Sequence, residues 1–496
     1  MVELHVTLSG QGNLYEQIYE SIRTEIREGR LRRGEQLPSA RLLAQFLSVS
    51  RATVDLAYDQ LSSEGYIEAV PRRGYFVCDL TGNEPGRVLS PYGLPDPVPS
   101  AGEETAPVTD PDTVAYDFSP RKIEMASFPY ATWRRLNRNV LVGERMDLFA
   151  LGGSQGDLPL RETIAHELAL ARDVRCVPEQ VVLGAGSDYL LLILARILGH
   201  ARIGMEPLTY LRAAQVLGGE GMTLLPVGMD ENGMLPGALS MADAELAYVM
   251  PSHQYPTGVV MPVARRLELL EWAAAQPGRY LIEDDYDSAF RYRGRPFPSL
   301  HSQDGGRHVI YLGTFSKTIA PAIRISYMVL PFSLLEVYRQ RCACFACTVT
   351  RVDQAVLEDF LREGAYGRHL NRMRRTYRQR HDALLEALEP FMRRFTVSGS
   401  DAGLHLLLSD RHADAAAQKP AAAEQALAQA AAEQGVRVYP LRENALPASA
   451  DAGIQKGDAM RLPAPLRSPT MILGFASLTP DEIRRGCECL RMAWSV

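Results

Sequence analysis

Residues 79–112 divide the chain. Pro91, Pro95, Pro97 and Pro99 fall in a run rich in Gly, Ser, Thr and acidic side chains, with almost no apolar periodicity. Proline takes away the backbone donor a helix needs, and a polar run has little to bury, so a semi-extended tether is expected here. A spacer with no further role is the alternative. The two flanks must bury their apolar surfaces separately. With 496 residues there is chain enough for two or three cores.

Residues 1–78 carry helix signals. Leu14, Ile18, Ile22 and Ile26 recur every fourth residue, one face of a helix that Gly29 ends. Leu37-Pro38-Ser39 offers a stop and an N-cap before a short second helix from Arg41 to Leu47. Ser48-Val49-Ser50 reads as a tight turn, with Ser50 capping a third helix from Arg51 to about Glu64. Its inner face is Val54, Ala57, Tyr58 and Leu61. Two extended runs follow, Tyr66–Val70 and Gly74–Cys78, joined by Pro71-Arg72-Arg73-Gly74. The pattern predicts a winged helix-turn-helix.

Ser39, Arg41, Ser50, Arg51 and Thr53 would then face base edges and phosphates in a major groove. Arg72 and Arg73 would reach phosphate or the minor groove, with Gly74 allowing close approach. A protein-binding wing is the competing use, because nine Arg against ten acidic residues leave this segment without net positive charge. A net charge of −6 for the chain gives no global pull toward nucleic acid, so the clustered arginines must act locally. Leu37-Pro-Ser-Ala-Arg-Leu-Leu-Ala, Val49-Ser-Arg-Ala-Thr-Val, Gly65-Tyr-Ile and Arg73-Gly-Tyr-Phe-Val resemble the GntR-type DNA-binding domain over residues 12–78. That resemblance implies binding to double-stranded DNA.

Residues 113–496 alternate apolar extended runs with amphipathic stretches, the pattern of an α/β fold. Candidate strands are 181–183, 246–250, 280–282, 309–312 and 328–330, and polar residues cluster after them, where ligands bind an open sheet. Gly184-Ala-Gly186-Ser187 opens a helix and turns amides toward an anion. Glu206 to Arg212 places Tyr210 and Arg212 two residues apart. His253 and Gln254 lie in a polar turn. Glu283, Asp284, Asp285 and Asp287 surround Tyr286. Those acids could equally bind Mg²⁺ or exchange protons. Last come Ser316, Lys317 and Arg324. The chain has 53 Lys plus Arg but only four lysines, and none besides Lys317 stands between Lys122 and Lys419. Where arginine serves almost everywhere, a lysine among apolar residues suits covalent chemistry, since a desolvated amine deprotonates and attacks aldehydes. One cofactor accounts for the whole set: pyridoxal 5′-phosphate (PLP).

The segments Gly184-Ala-Gly-Ser-Asp-Tyr-Leu, Pro251-Ser-His-Gln-Tyr-Pro-Thr-Gly, Ile282-Glu-Asp-Asp-Tyr-Asp-Ser, Gly313-Thr-Phe-Ser-Lys-Thr and Ile472-Leu-Gly-Phe-Ala resemble a fold-type I aminotransferase. With the head, they resemble the MocR/GabR family of regulators, in which a GntR-type head is fused to such a body. The resemblance implies a multidomain chain. A winged helix-turn-helix (α+β) would precede an α/β PLP-dependent transferase-like domain, with a smaller C-terminal α+β subdomain from about 375 to 496. It also implies a head-to-tail homodimer. By similarity, Lys317 would form the Schiff base with PLP, Asp284 would hold the pyridine nitrogen, and Tyr286 the phenolate oxygen, with His253 or Gln254 nearby. Tyr210 would stack on the ring, and Gly186, Ser187, Ser316 and Arg324 would bind phosphate. Arg212 is the candidate for an effector's acidic group, with Arg437 and Arg467 behind it, because Met471 stands where a charge might be expected. Tyr255 occupies the position of the Asn in an aminotransferase Asn-Pro-Thr-Gly turn, and Ser326 one where glycine is common.

The expected function is a transcriptional regulator that senses an amino compound, or PLP itself, by aldimine exchange at Lys317. An active aminotransferase with an appended DNA module, and a PLP-independent dimerisation scaffold, are the alternatives. The N-terminus lacks a basic n-region and an apolar h-region, and no apolar run spans a bilayer, so a cytoplasmic bacterial protein without membrane association is expected. Seven cysteines, three of them in Cys342-Ala-Cys344-Phe-Ala-Cys347, lack the paired spacing of a metal site. They read as reduced thiols.

Overall fold

The computed structural model describes residues 13–71, 73–79, 114–142, 146–292, 298–411, 420–447 and 462–496. Arg72, Lys419 and the expected tether beyond Asp79 lie outside them. The chain falls into two units, Met1–Ala106 and Pro107–Val496.

In the first unit, α1 (Leu14–Arg27), α2 (Ala40–Leu47) and α3 (Arg51–Ser63) are followed by the antiparallel hairpin β1 (Ile67–Val70) and β2 (Gly74–Val77). Ile18, Ile22, Val54, Ala57, Tyr58 and Leu61 are each fully buried in one cluster. Leu14 is 41% exposed, because the first helical turn reaches past the core. Ser48 takes the left-handed conformation, φ 54°, and turns the chain from α2 into α3. Ser39 Oγ accepts from Leu42 N and Ser50 Oγ from Thr53 N, each closing an otherwise unpaired helix-start amide. Ser50→Ala should therefore lower the stability of this unit by about 1 kcal/mol, measured as earlier urea unfolding of the full chain or faster amide exchange in α3.

The second unit is built on a seven-stranded mixed sheet. Its strands are β4 (Val181–Gly184), β5 (Arg202–Met205), β6 (Thr223–Pro226), β9 (Leu246–Val249), β10 (Tyr280–Asp285), β11 (Val309–Thr314) and β12 (Ser326–Val329), in the order β4-β12-β11-β10-β9-β5-β6. Only β12 runs against its neighbours. The other six end at the same edge, so the polar residues that follow them gather there. A small hairpin, β7 (Met229–Asp230) and β8 (Gly233–Met234), follows β6. Apolar side chains alternate between the faces. Ile282, Ile310, Leu312 and Met328 join the helix Ser187–Leu198 in one cluster, while Leu281 and Val309 enter another.

A second, antiparallel sheet is formed by β13 (Phe395–Ser398), β14 (His405–Asp410), β16 (Tyr439–Pro440) and β17 (Thr470–Gly474), in the order β13-β14-β17-β16. It packs with the helices Ala365–Ala387 and Pro480–Ala493 around Phe118, Tyr377, Phe395 and Phe475. Residues 114–124 are tied to this region at several points. The two-residue strand β3 (Tyr116–Asp117) pairs with β15 (Val436–Arg437), and Gly474 N donates to Phe118 O. A Cβ on Gly474 would come within 2.2 Å of Ser119 O, so only glycine lets β17 lie this close. Arg380 pairs with the buried Glu124, whose Oε1 accepts from Ala126 N.

Candidate cofactor pocket and DNA-reading face

In the head, the residues expected to read DNA gather at the turn and the wing. Ser50 and Thr53 hydroxyls lie 2.8 Å apart, and Ser39 caps α2, so these three have local partners of their own. Arg51 and Arg41 are exposed, and Arg51 lies 3.3 Å from Asp55 one turn on. Arg73 stacks over Phe76 with 5.3 Å from guanidinium to ring centre. Gly74, φ 106°, shapes the hairpin tip.

In the body, strand parity divides the acidic segment of β10 between two faces. Asp284 shares a face with Tyr248, which donates to its Oδ2. Burial pushes the Asp284 carboxyl up to about 7, Tyr248 opposes the shift, and Asp285 and Asp287 add to it. Asp285, on the opposite face, meets Arg172 Nε at 2.7 Å and accepts from Tyr311, while Arg172 Nη2 donates to Ser252 Oγ at 2.6 Å. Glu283 is buried under the sheet and accepts from the amides of Leu300 and His301. The four carboxylates therefore have different surroundings, and of them only Asp287 acts on Lys317.

Lys317 follows β11 and is half-buried. Its Nζ donates to Pro120 O at 3.2 Å and Arg121 O at 3.1 Å. Loss of water around the amine pulls its pKa from 10.5 down to about 8, Asp287 pulling it back up and Arg121 pushing it further down. His253 Nδ1 lies 2.9 Å from Asp287 Oδ2 and 3.0 Å from Tyr286 Oη. Its ring sits 4.8 Å from that of His405, whose Nε2 donates to Pro256 O. The hydrogen bonding thus reaches Tyr286 from His253 and not from Gln254. The Gln254 amide is engaged elsewhere, donating to Glu206 and Leu208 O and accepting from Thr257 N. Tyr255 is edge-on to Tyr210 at 6.2 Å and to Tyr286 at 6.3 Å.

At the start of the helix Ser187–Leu198, Gly186 has φ 92° and a Cβ there would lie 2.1 Å from Arg324 Nη2. Arg324 is itself left-handed, φ 49°, a conformation that costs energy in a non-glycine residue and is held here by the surrounding chain. Its guanidinium reaches Ala185 O and Asp188 Oδ2. Arg212 reaches the same Asp188 oxygen at 3.3 Å. Two guanidinium groups therefore meet at one helix N-terminus, which places Arg212 at the end expected to hold phosphate. Ser316 Oγ is buried with no hydrogen-bond partner among the described residues. Arg437 contributes its carbonyl to Phe118 N and belongs to the β3–β15 pairing. Arg467 is exposed and donates to Leu462 O.

The expectations missed Arg121 and Thr348, whose Oγ1 accepts from Ala185 N. Both arrive from segments far along the chain, with no local signal to mark them. The seven cysteines are all unpaired. Among the described residues, no group of His, Cys, Asp and Glu is arranged to hold a metal, and no helix is long and apolar enough to cross a membrane.

Residues 14–77 match the gntR family of bacterial regulatory proteins, and residues 125–453 match aminotransferase class I and II. The uncharacterized HTH-type transcriptional regulator YhdI of Bacillus subtilis is 35% identical over 97% of this chain and 96% of its own. The probable rhizopine catabolism regulatory protein MocR of Rhizobium meliloti is 32% identical over 97% of this chain and 94% of its own. This chain belongs to the MocR-type HTH transcriptional regulators. The body of this MocR-type regulator also aligns with LysN, the alpha-aminoadipate aminotransferase of Thermus thermophilus, solved in complex with N-(5′-phosphopyridoxyl)-L-leucine. The TM-score is 0.63 at 22% identity, covering 77% of this chain and 92% of that one. At that identity the likeness speaks for the fold: a fold-type I aminotransferase body on a GntR-type head.

Proposed function

We propose that this regulator carries pyridoxal 5′-phosphate on Lys317, senses an amino compound there, and thereby changes how a head-to-tail homodimer engages paired DNA half-sites. The observation that carries the reading is Lys317 itself, an amine with its pKa drawn down to about 8, in a body that also carries an anion-ready helix start and a buried carboxyl with a raised pKa. The chemistry of the surrounding groups fits the cofactor. Asp284 would meet the ring nitrogen and Tyr286 the phenolate oxygen, with His253 and Asp287 fixing the Tyr286 hydroxyl. Tyr210 would lie against the ring. The Gly186–Ser187 amides, the Ser316 hydroxyl and Arg324 would hold phosphate, with Arg212 reinforcing that end. Bound there, the cofactor supplies an aldehyde that condenses reversibly with primary amines.

The carbonyls of Pro120 and Arg121 would accept from the Lys317 ammonium whenever that amine is free. A ligand switches the dimer only if it favours one arrangement over another. In the head, Arg41, Arg51, Arg72 and Arg73 would contact phosphates and base edges.

The test is the visible absorption spectrum of the purified protein during titration with amines and amino acids, with operator binding followed in parallel. A cofactor band that shifts with one amine, stops there and alters DNA binding supports a sensor. Repeated turnover with keto-acid release would make the protein an aminotransferase, and absence of any band after adding cofactor would overturn the reading. Because the amine reacts as its free base, capture of added cofactor by apoprotein should rise with pH through a midpoint near 8, rather than 10.5. Stopped-flow absorbance measures that midpoint.

A further inference from the structure

We infer that Arg121 is the residue that selects the effector, by pairing with an acidic group carried on the same molecule as the amine. The inference rests on the proposed function and specifies its ligand: an amine bearing a carboxylate, sulfonate or phosphonate.

Arg121 stands on the segment that grips Lys317. Its carbonyl accepts from Nζ at 3.1 Å, and its amide N donates to Ser119 Oγ. The segment is held in place by the Gly474–Ser119 approach, the Gly474 N to Phe118 O bond and the buried Glu124. Arg121 is therefore fixed at its base. Its side chain is exposed, makes no ion pair with an acid among the described residues, and donates to the hydroxyl of the buried Tyr255. Its backbone carbonyl sits 3.1 Å from the Lys317 amine, and its charge acts on Lys317, Tyr210 and Tyr255.

The arginines named above for an effector's acid group have contacts of their own, Arg467 with Leu462 O. Arg212 and Arg324 share Asp188, and Arg437 serves β3 through its backbone. A guanidinium has five donors in a fork that matches a carboxylate, and a bond to one phenol leaves most of them for a ligand. An amine arriving at Lys317 would bring its acid group to Arg121. Tyr255, where the resembled aminotransferases carry Asn, supplies the aromatic wall that orients the fork.

The experiment compares Arg121→Gln, Arg121→Lys and the parent protein in full-length, cofactor-loaded form. The spectral change is titrated with ethylamine and with amino acids whose amine and carboxylate are one, two and three carbons apart. In Arg121→Gln the cofactor band is expected to remain. Half-saturation should rise roughly ten- to a hundredfold for the best amino acid, as for loss of a charge-assisted hydrogen bond, and change far less for ethylamine, which lacks the acid group and feels only the shifted Lys317 pKa. Arg121→Lys should recover part of the loss. Equal weakening for ethylamine and amino acids, loss of the band, or no change at all would each overturn the assignment. If the parent protein shows no band or no amine response, the cofactor reading has failed and this assignment falls with it, and the parent protein alone reveals that case.

Discussion

Lys317→Ala is expected to hold no visible chromophore after incubation with pyridoxal 5′-phosphate, and its DNA binding should no longer respond to any amine. The effect should be complete, since among the described residues Lys122 is the one other lysine. Lys122, the nearest lysine before it in sequence, is paired with Asp117 at 2.8 Å. Lys317→Arg should fail equally, since a guanidinium stays protonated and cannot attack an aldehyde at neutral pH. Absorption spectra of both variants, beside a mobility-shift titration with and without amine, decide the matter. A chromophore in either variant that still shifts with amine would refute the role given to Lys317.

Asp285→Ala should produce the largest loss of stability, about 3–5 kcal/mol, because it leaves the Arg172 guanidinium buried without its counter-charge. Tyr311 loses its acceptor as well. The pair lies under β10, one residue from Asp284, so the damage should spread to the cofactor pocket. The double variant Arg172→Met/Asp285→Ala should recover much of the stability, since removing both charges removes the desolvation problem. Urea unfolding of the single and double variants measures the coupling. Additive losses would show that Arg172 and Asp285 act independently of each other.

Local patterns in the sequence carry much of this architecture. The helices and hairpin of the head emerge from four-residue spacing, Ser caps and Gly stops, because each depends on neighbours a few residues away. The polar ends of β4, β9, β10 and β11 are equally local, since an apolar run and the turn after it lie side by side in the chain. Strands β5 and β6 were not anticipated. Arg202 and Thr223 open them with polar residues, and Gly204 and Pro226 break what apolar run remains. Asp284 and Asp285 look alike as text, and only the pleat of β10 shows that one faces Tyr248 and the other Arg172. Arg212 shows a different gap. Its two-residue spacing from Tyr210 is visible, but the direction of its side chain depends on Asp188, which the helix start supplies. Arg121 was beyond reach for a similar reason: its partners are Lys317 and Tyr255, and only the closed fold brings them together.

The grip of residues 114–124 on Lys317 has a mechanical consequence. The chain leaves the DNA-reading head, runs through the Pro-rich stretch, and within a few residues of entering the body supplies the carbonyls of Pro120 and Arg121 that hold the ammonium. Should an amine take the place of Lys317 as proposed, the backbone at residues 120 and 121 would be the first part of the body's entry segment to gain or lose a bond.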